Sequence, residues 1–169
     1  ANRGSFFQLW QPPYAFGLDA LAGRLLRRIG DIGAKRLVID GLDGLRQAAT
    51  HPDRTIRFLT ALSNELRARN VTTLITDETL KMNGPEIDMR VAGTSALADG
   101  LLMLEYVTVA SELRRLISVI KGRGTAHALQ SREFLLTPKG LEISPDATTA
   151  REILSAFESA GGRVNRVPH

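Results

Sequence analysis

Apolar residues recur at helical spacing in three segments of the 169-residue chain. The first predicts an amphipathic helix over Leu18–Ile32. Gly33 is suited to end it, because glycine readily adopts the left-handed conformation that often follows a helix. The second predicts a helix from about Asp53, a residue type favoured at helix starts, to Arg69. The third predicts a helix over Thr148–Ala160.

Continuous apolar runs predict strands in the first half of the chain. The run Phe6–Trp10, which ends before two prolines, predicts a buried first strand. The run Arg36–Gly41, whose apolar part finishes on an acid, and the run Val71–Thr76 predict the next two strands, and the first of them lacks the alternation of a half-exposed strand. This indicates burial on both faces of a parallel sheet covered by helices.

The second half of the chain has strands without helices between them. They are predicted at Gly100–Val107, Leu113–Ile120, Glu133–Leu136 and Leu141–Ile143, after a surface loop at Lys81–Arg90. Such short spacing is typical of antiparallel hairpins. The predicted fold class is therefore α/β: a parallel sheet flanked by helices, followed by C-terminal antiparallel hairpins.

Composition narrows the class of protein. The chain has 43% hydrophobic and 24% charged residues, as expected of one soluble globular domain, and no run long enough to span a membrane. It has no cysteine, which excludes disulfides and fits a cytoplasmic location. The formal charge of +4 and the pI near 10.0 fit an arginine-rich surface or a nucleic-acid groove, and we favour the surface.

Acidic residues follow two of the predicted parallel strands. Asp40 ends the first, and Asp77 and Glu78 end the next. The carboxyl ends of parallel strands face the crevice where α/β folds bind ligands, so these acids are candidates for holding Mg²⁺ or polarising a water. The alternative is an ordinary polar strand end, and the residues alone leave both interpretations open.

A short turn, Lys121–His127, gathers two cations, two glycines, a hydroxyl and an imidazole. Glycines let the backbone approach a ligand closely, and Lys121 and Arg123 supply donors for phosphate oxygens. His127 is a candidate for stacking on a base or bonding a sugar. The alternative is a basic surface hairpin, which composition alone favours.

The order of these segments resembles the KaiC family, which comprises RecA-like ATPases of the cyanobacterial circadian clock and their non-clock relatives. The turn Lys-x-Arg-Gly-Thr-x-His and the ending Arg-Glu-Phe…Lys-Gly are specific to that family. The resemblance implies a partial KaiC-like domain over residues 6–145. Residues 1–5 are then a scar or linker, and residues 146–169 a C-terminal helix with a flexible tail. The segments that carry the resemblance are Arg36–Asp40, Val71–Glu78, Ala98–Tyr106, Leu113–His127 and Arg132–Gly140.

The resemblance implies a role for each candidate. Asp40 corresponds to the Walker B acid that positions Mg²⁺ through water, and Glu78 to the polar end of the nucleotide-sensing strand, so both are expected to be catalytic. Lys121 and Arg123 are expected to reach, in trans, the phosphates of ATP held by the neighbouring subunit of a hexameric ring. Thr125 and His127 are expected beside that nucleotide.

The chain departs from the family at its phosphate-binding loop. It contains no Gly-Lys dipeptide, so these residues lack the Walker A loop, the strand that leads into it and the family's catalytic glutamates. That strand is expected between Val71–Thr76 and the strand at Gly100–Val107. Without it, those two strands either pair directly or expose apolar edges.

A second departure concerns phosphorylation. The adjacent Ser-Thr pair that clock members phosphorylate corresponds here to Ser95 and Ala96. The sequence therefore argues against a two-site cycle, and Thr94 and Ser95 are the candidate acceptors.

Three functions are consistent with the sequence. The first is part of a KaiC-like ATPase domain that binds Mg·ATP between ring subunits for a regulatory conformational change, with regulatory proteins as further partners. These residues alone are not expected to hydrolyse ATP. The second is a loop-less, non-catalytic KaiC-like oligomerisation module. The third, a nucleic-acid-binding recombinase relative, ranks last because aromatic residues for base stacking are few.

Overall fold

The computed structural model describes residues 6–10, 17–49, 51–78, 96–124, 126 and 130–159. The chain divides into two compact units, Ala1–Thr79 and Leu80–His169. Within the described residues, the first unit has three helices and a parallel sheet, and the second has an antiparallel sheet and one helix. The predicted α/β class, with a parallel sheet and C-terminal hairpins, is confirmed.

The helices of the first unit follow the sequence pattern closely, with one addition. Helix α1 spans Leu18–Ile32 as predicted, and Gly33 ends it in the left-handed conformation, at φ 63°. Helix α2, Leu42–Ala48, was not predicted. Helix α3 spans Pro52–Ala68, and proline occupies its first turn, where no hydrogen bond to its nitrogen is needed. The expectation that Asp53 caps this helix is wrong, because His51 is the N-cap and Asp53 lies within the first turn. Their buried core residues are Leu18, Ile29, Leu42, Leu45, Phe58, Leu59, Leu62 and Leu66.

The parallel sheet of the first unit consists of two strands. Strand β1, Arg36–Ile39, pairs in parallel with β2, Thr72–Ile75, so that Val38 lies opposite Leu74. Burial alternates along both strands, and Val38 and Leu74 are 63% and 56% exposed. The expectation of burial on both faces is therefore wrong for the described structure, because the packing covers only one face.

The predicted first strand is also absent. Residues Phe6–Trp10 are described and form no strand; Phe6 is 82% exposed and Trp10 78%. An apolar run becomes a strand only where a neighbouring strand accepts its hydrogen bonds, and the described residues provide none for this segment.

The second unit is a hairpin sheet with a helix packed on it. The sheet order is β3 (Gly100–Val109), β4 (Glu112–Gly122), β5 (Arg132–Thr137) and β6 (Gly140–Ile143), with every neighbouring pair antiparallel. Helix α4 spans Thr148–Ser159. Its Ala150 and Ile153 pack against Val107 and Leu116 to form the core of this unit.

Each of the two strands expected to flank the missing one has one hydrogen-bonded neighbour in its own unit, as far as the described residues show. In the described residues, β2 bonds only to β1, and β3 only to β4. Apolar side chains are exposed on both, with Leu74, Leu102 and Leu104 between 56% and 59% exposed. Among the described helices, none has the length and apolar character needed to cross a membrane. The predicted loop Lys81–Arg90 lies outside the described residues.

Candidate functional site

The chain turns from β1 into α2 through a short segment that ends on an acid and a glycine. We call residues Ile39–Leu42, together with Thr76, the Asp40 elbow. Gly41 has φ 87° and ψ 108°, a conformation that residues with a side chain rarely adopt. Glycine therefore lets the chain turn sharply directly after the strand-ending carboxylate.

Thr76 fastens this elbow through four hydrogen bonds. Its backbone N–H donates to the Ile39 carbonyl at 3.0 Å, and its carbonyl accepts from the Leu42 N–H at 3.0 Å. Its side-chain hydroxyl donates to Asp40 Oδ1 at 2.7 Å and accepts from the Gly41 N–H at 2.8 Å. Thr76, the residue directly after β2, thus contacts four consecutive residues from the last residue of β1 to the first of α2.

A bidentate ion pair holds Asp77, the residue that follows Thr76. Arg46 Nη1 and Nη2, on α2, each donate to one carboxylate oxygen of Asp77 at 2.6 Å. Arg46 also bonds Asp43 at 2.8 Å. The hydrogen bond to Asp77, and then that to Asp43, raises the pKa of Arg46 above its ordinary value. The side chain of Asp77 is 19% exposed, and both of its carboxylate oxygens accept a hydrogen bond from Arg46.

The other two acids at this edge remain accessible. Asp40 and Glu78 are both exposed. Oxygen Oδ2 of Asp40 accepts no hydrogen bond from the described residues. Among those residues, no three His, Cys, Asp or Glu side chains gather as a group able to hold a metal. Within the described residues, the elbow therefore presents one exposed carboxylate rather than an all-protein metal cage.

The predicted basic turn lies at the end of β4 in the second unit. Lys121 is half-buried and pairs with Leu101, next to a β-bulge where the register shifts between Leu101 and Leu102. The Arg123 N–H donates to the Asp99 carbonyl at 2.7 Å, and its guanidinium lies 3.3 Å from the Asp99 carboxylate. The side chain of Arg123 is 60% exposed. The bulge and Asp99 thus fix the backbone of the turn while leaving the Arg123 guanidinium largely in solvent.

The structure brings together some of the predicted site residues. Asp40, Asp77 and Glu78 follow paired parallel strands, and Lys121 and Arg123 share one turn. Four further candidates lie outside the described residues: Thr94, Ser95, Thr125 and His127.

Sequence reasoning missed three partners of these residues. They are Thr76, which holds Asp40; Arg46, which holds Asp77; and Asp99, which holds Arg123. A Thr directly before the Asp-Glu pair is visible in the sequence. Its spacing from Asp40, 36 residues, gives no sign of contact until the strand register is known.

Comparisons with known proteins agree on one family. A family profile described as "ATPase: KaiC" matches residues 9–148. The circadian clock oscillator protein KaiC of Thermostichus vulcanus is 27% identical over 154 residues, which cover 91% of this chain and 29% of that protein. KaiC of Parathermosynechococcus lividus is 31% identical over 130 residues, covering 77% of this chain and 24% of that protein. The chain therefore spans less than a third of the length of these curated relatives.

A solved structure supports the same assignment. The crystal structure of a KaiC-like protein from the hyperthermophilic archaeon Pyrococcus horikoshii OT3 matches with a TM-score of 0.64 and 26% sequence identity. The match covers 77% of this chain and 58% of that one. Because the family profile covers most of the chain and the fold agrees, the chain belongs to the KaiC ATPase family.

Proposed function

We propose that this chain forms part of a KaiC-like ATPase that binds Mg·ATP between subunits of a ring and uses it for a regulatory conformational change. The observation that carries the proposal is the Asp40 elbow. Its acid lies at the carboxyl end of a parallel strand, its Oδ1 is bonded by Thr76, and its side chain is exposed. Ligands of open α/β sheets bind at that edge.

The donor set at the elbow fits Mg²⁺ that arrives with a nucleotide. Mg²⁺ prefers oxygen ligands, keeps several waters, and is usually held by one or two carboxylates together with substrate phosphates. A single exposed carboxylate matches that pattern. When bound, Mg²⁺ would neutralise phosphate charge, and Asp40 would orient one of its waters.

The basic turn supplies the second half of the proposed site. The guanidinium of Arg123 is 60% exposed on a backbone fixed by Asp99, so it has room to reach a phosphate on another subunit. A cation provided in trans stabilises the charge that develops during phosphoryl transfer. Lys121 and Arg123 are proposed to act together in this way.

The second candidate function is a non-catalytic oligomerisation module. The observation that favours it is the side chain of Arg123, which is 60% exposed on a backbone held by Asp99. Such a module would offer Lys121 and Arg123 to a partner's nucleotide without binding one.

ATP hydrolysis by the product of the complete gene that encodes these residues separates the two candidates. Under the ATPase proposal, Asp40→Asn and Arg123→Ala each reduce kcat by about 10³-fold. Asp53→Asn and Lys139→Ala, which alter exposed residues of matching type, should retain wild-type rates. If that protein does not hydrolyse ATP, or hydrolyses it equally well without the Asp40 carboxylate, the ATPase proposal is wrong.

A further inference from the structure

We infer that Thr76 is the positioning residue for Asp40, holding one carboxylate oxygen so that the other faces the nucleotide-bound cation. This inference rests on the proposed function and adds a residue that the sequence motifs do not identify. Its basis is the set of four hydrogen bonds from Thr76 to residues Ile39–Leu42.

The hydroxyl of Thr76 has a geometry suited to this role. It donates its one proton to Asp40 Oδ1 at 2.7 Å and accepts the Gly41 N–H at 2.8 Å. A hydroxyl has one proton to donate, and here that proton goes to Asp40, so the direction of both bonds is fixed. A bond to an ionised carboxylate is stronger than a neutral one, so it restricts rotation of the Asp40 side chain.

The backbone bonds of Thr76 make this support rigid. The same residue extends the parallel ladder by one step, to Ile39, and accepts the first N–H of α2, at Leu42. The Arg46–Asp77 pair then ties α2 to the residue after Thr76. Backbone hydrogen bonds to Ile39 and Leu42 therefore fix the position of Thr76 without any contribution from Asp40.

Partners that orient metal ligands in this way commonly contribute strongly to metal affinity. Their removal typically weakens metal binding by about 10- to 100-fold. Thr76→Val removes the hydroxyl while keeping the branched shape, and Thr76→Ser keeps the hydroxyl.

Thr73, on the strand that leads to Thr76, offers a matched control. Its hydroxyl is buried and has no hydrogen-bond partner among the described residues. Thr73→Val makes the same chemical change three residues before Thr76, without removing a described hydrogen bond.

The test measures Mn²⁺ affinity by electron paramagnetic resonance, with ATP present, in the product of the complete gene. We expect Thr76→Val to weaken Mn²⁺ binding by about 10-fold or more, and Thr76→Ser and Thr73→Val to stay near wild type. Hydrogen exchange should also show faster exchange of the Gly41 amide in Thr76→Val, because its acceptor is gone, and not in Thr76→Ser.

Two failures can be told apart with Asp40→Asn. If Asp40→Asn binds Mn²⁺ as tightly as wild type, the proposed role of Asp40 is wrong and the inference fails with it. If Asp40→Asn weakens binding but Thr76→Val behaves like Thr73→Val, Asp40 keeps its role and Thr76 does not position it.

Discussion

The two units differ in how firmly hydrogen bonds and ion pairs hold their candidate functional residues. In the first, Asp40 lies on an elbow where Thr76 bonds four consecutive residues and Arg46 grips Asp77 through two bonds. In the second, Arg123 is held through its backbone and a single 3.3 Å ion pair, and its side chain is 60% exposed. An acid that orients a cation needs a fixed direction, whereas a cation that reaches another subunit needs freedom. The difference matches the two proposed roles.

The largest expected effects come from two fully buried leucines, one in each unit. Leu66 is 2% exposed in the first unit, and Leu116 is 0% exposed in the second. Leu66→Ala and Leu116→Ala should each lower the free energy of unfolding by about 2–5 kcal/mol, because each leaves a cavity. Residue-resolved hydrogen exchange should show the greater loss of protection inside the unit that carries the substitution. Equal loss throughout the chain would contradict the division into two units.

The two arginines test the contrast between fixed and exposed cations directly. Arg46→Met should lower the free energy of unfolding by about 1–3 kcal/mol, because it leaves the mostly buried Asp77 carboxylate without its partner. Arg123→Met should cost less than about 1 kcal/mol, because exposed ion pairs contribute little. Urea unfolding of both variants measures the difference. If Arg123→Met lowers the free energy of unfolding as much as Arg46→Met does, the Arg123 side chain is not loosely held.

Two turns with positive backbone φ angles, one in each unit, are occupied by different residue types. Gly41 occupies such a position in the elbow, whereas Ala110 and Ser111, with φ 49° and 66°, form the β3–β4 turn. Gly41→Ala should destabilise the chain by about 1–3 kcal/mol through strain. Ser111→Gly should stabilise it by up to about 1 kcal/mol, because glycine prefers that turn conformation. Thermal unfolding of both variants checks the two signs, and a stabilised Gly41→Ala would contradict the described elbow.

The smallest effect concerns a half-buried carboxyl in the second unit. Glu105 lies on β3 opposite Leu116, and burial raises its pKa above the ordinary value of 4.5. Its contribution to stability is complete below that value, falls as the pH rises towards the raised pKa, and stays lower above it. Glu105→Gln cannot ionise, so its stability should rise relative to wild type as the pH increases. Urea unfolding between about pH 4 and pH 8 measures this trend, and a constant difference would contradict the burial of the carboxyl.

The sequence was sufficient to predict those helices and strands whose bounds are set by their own residues. Helix α1 was predicted to the residue, because four apolar residues and Gly33 mark its face and its end. Helix α2 was missed, because seven residues with two buried leucines are too short to show a period. Phe6–Trp10 was wrongly predicted as a strand, because an apolar run does not reveal whether a partner strand is present.

Prediction of the candidate site from the sequence has the same limit, because local patterns do not reveal contacts between distant residues. The position of Asp40 at a strand end follows from a local run of apolar residues. The contact of Thr76 with Asp40 and the pair between Arg46 and Asp77 join residues 36 and 31 positions apart. These contacts depend on the register that places Ile39 opposite Ile75, which no local pattern encodes.

The proposal that Asp40 and the basic turn act from different subunits is tested most directly by mixing two inactive variants of the complete gene product. Asp40→Asn and Lys121→Ala should each hydrolyse ATP at background rates when assembled alone. Equal mixtures assembled together should recover about a quarter of wild-type activity, because that share of interfaces pairs an intact Asp40 with an intact Lys121. If the mixture stays at background while both variants still assemble, Asp40 and Lys121 do not meet at a shared nucleotide between subunits.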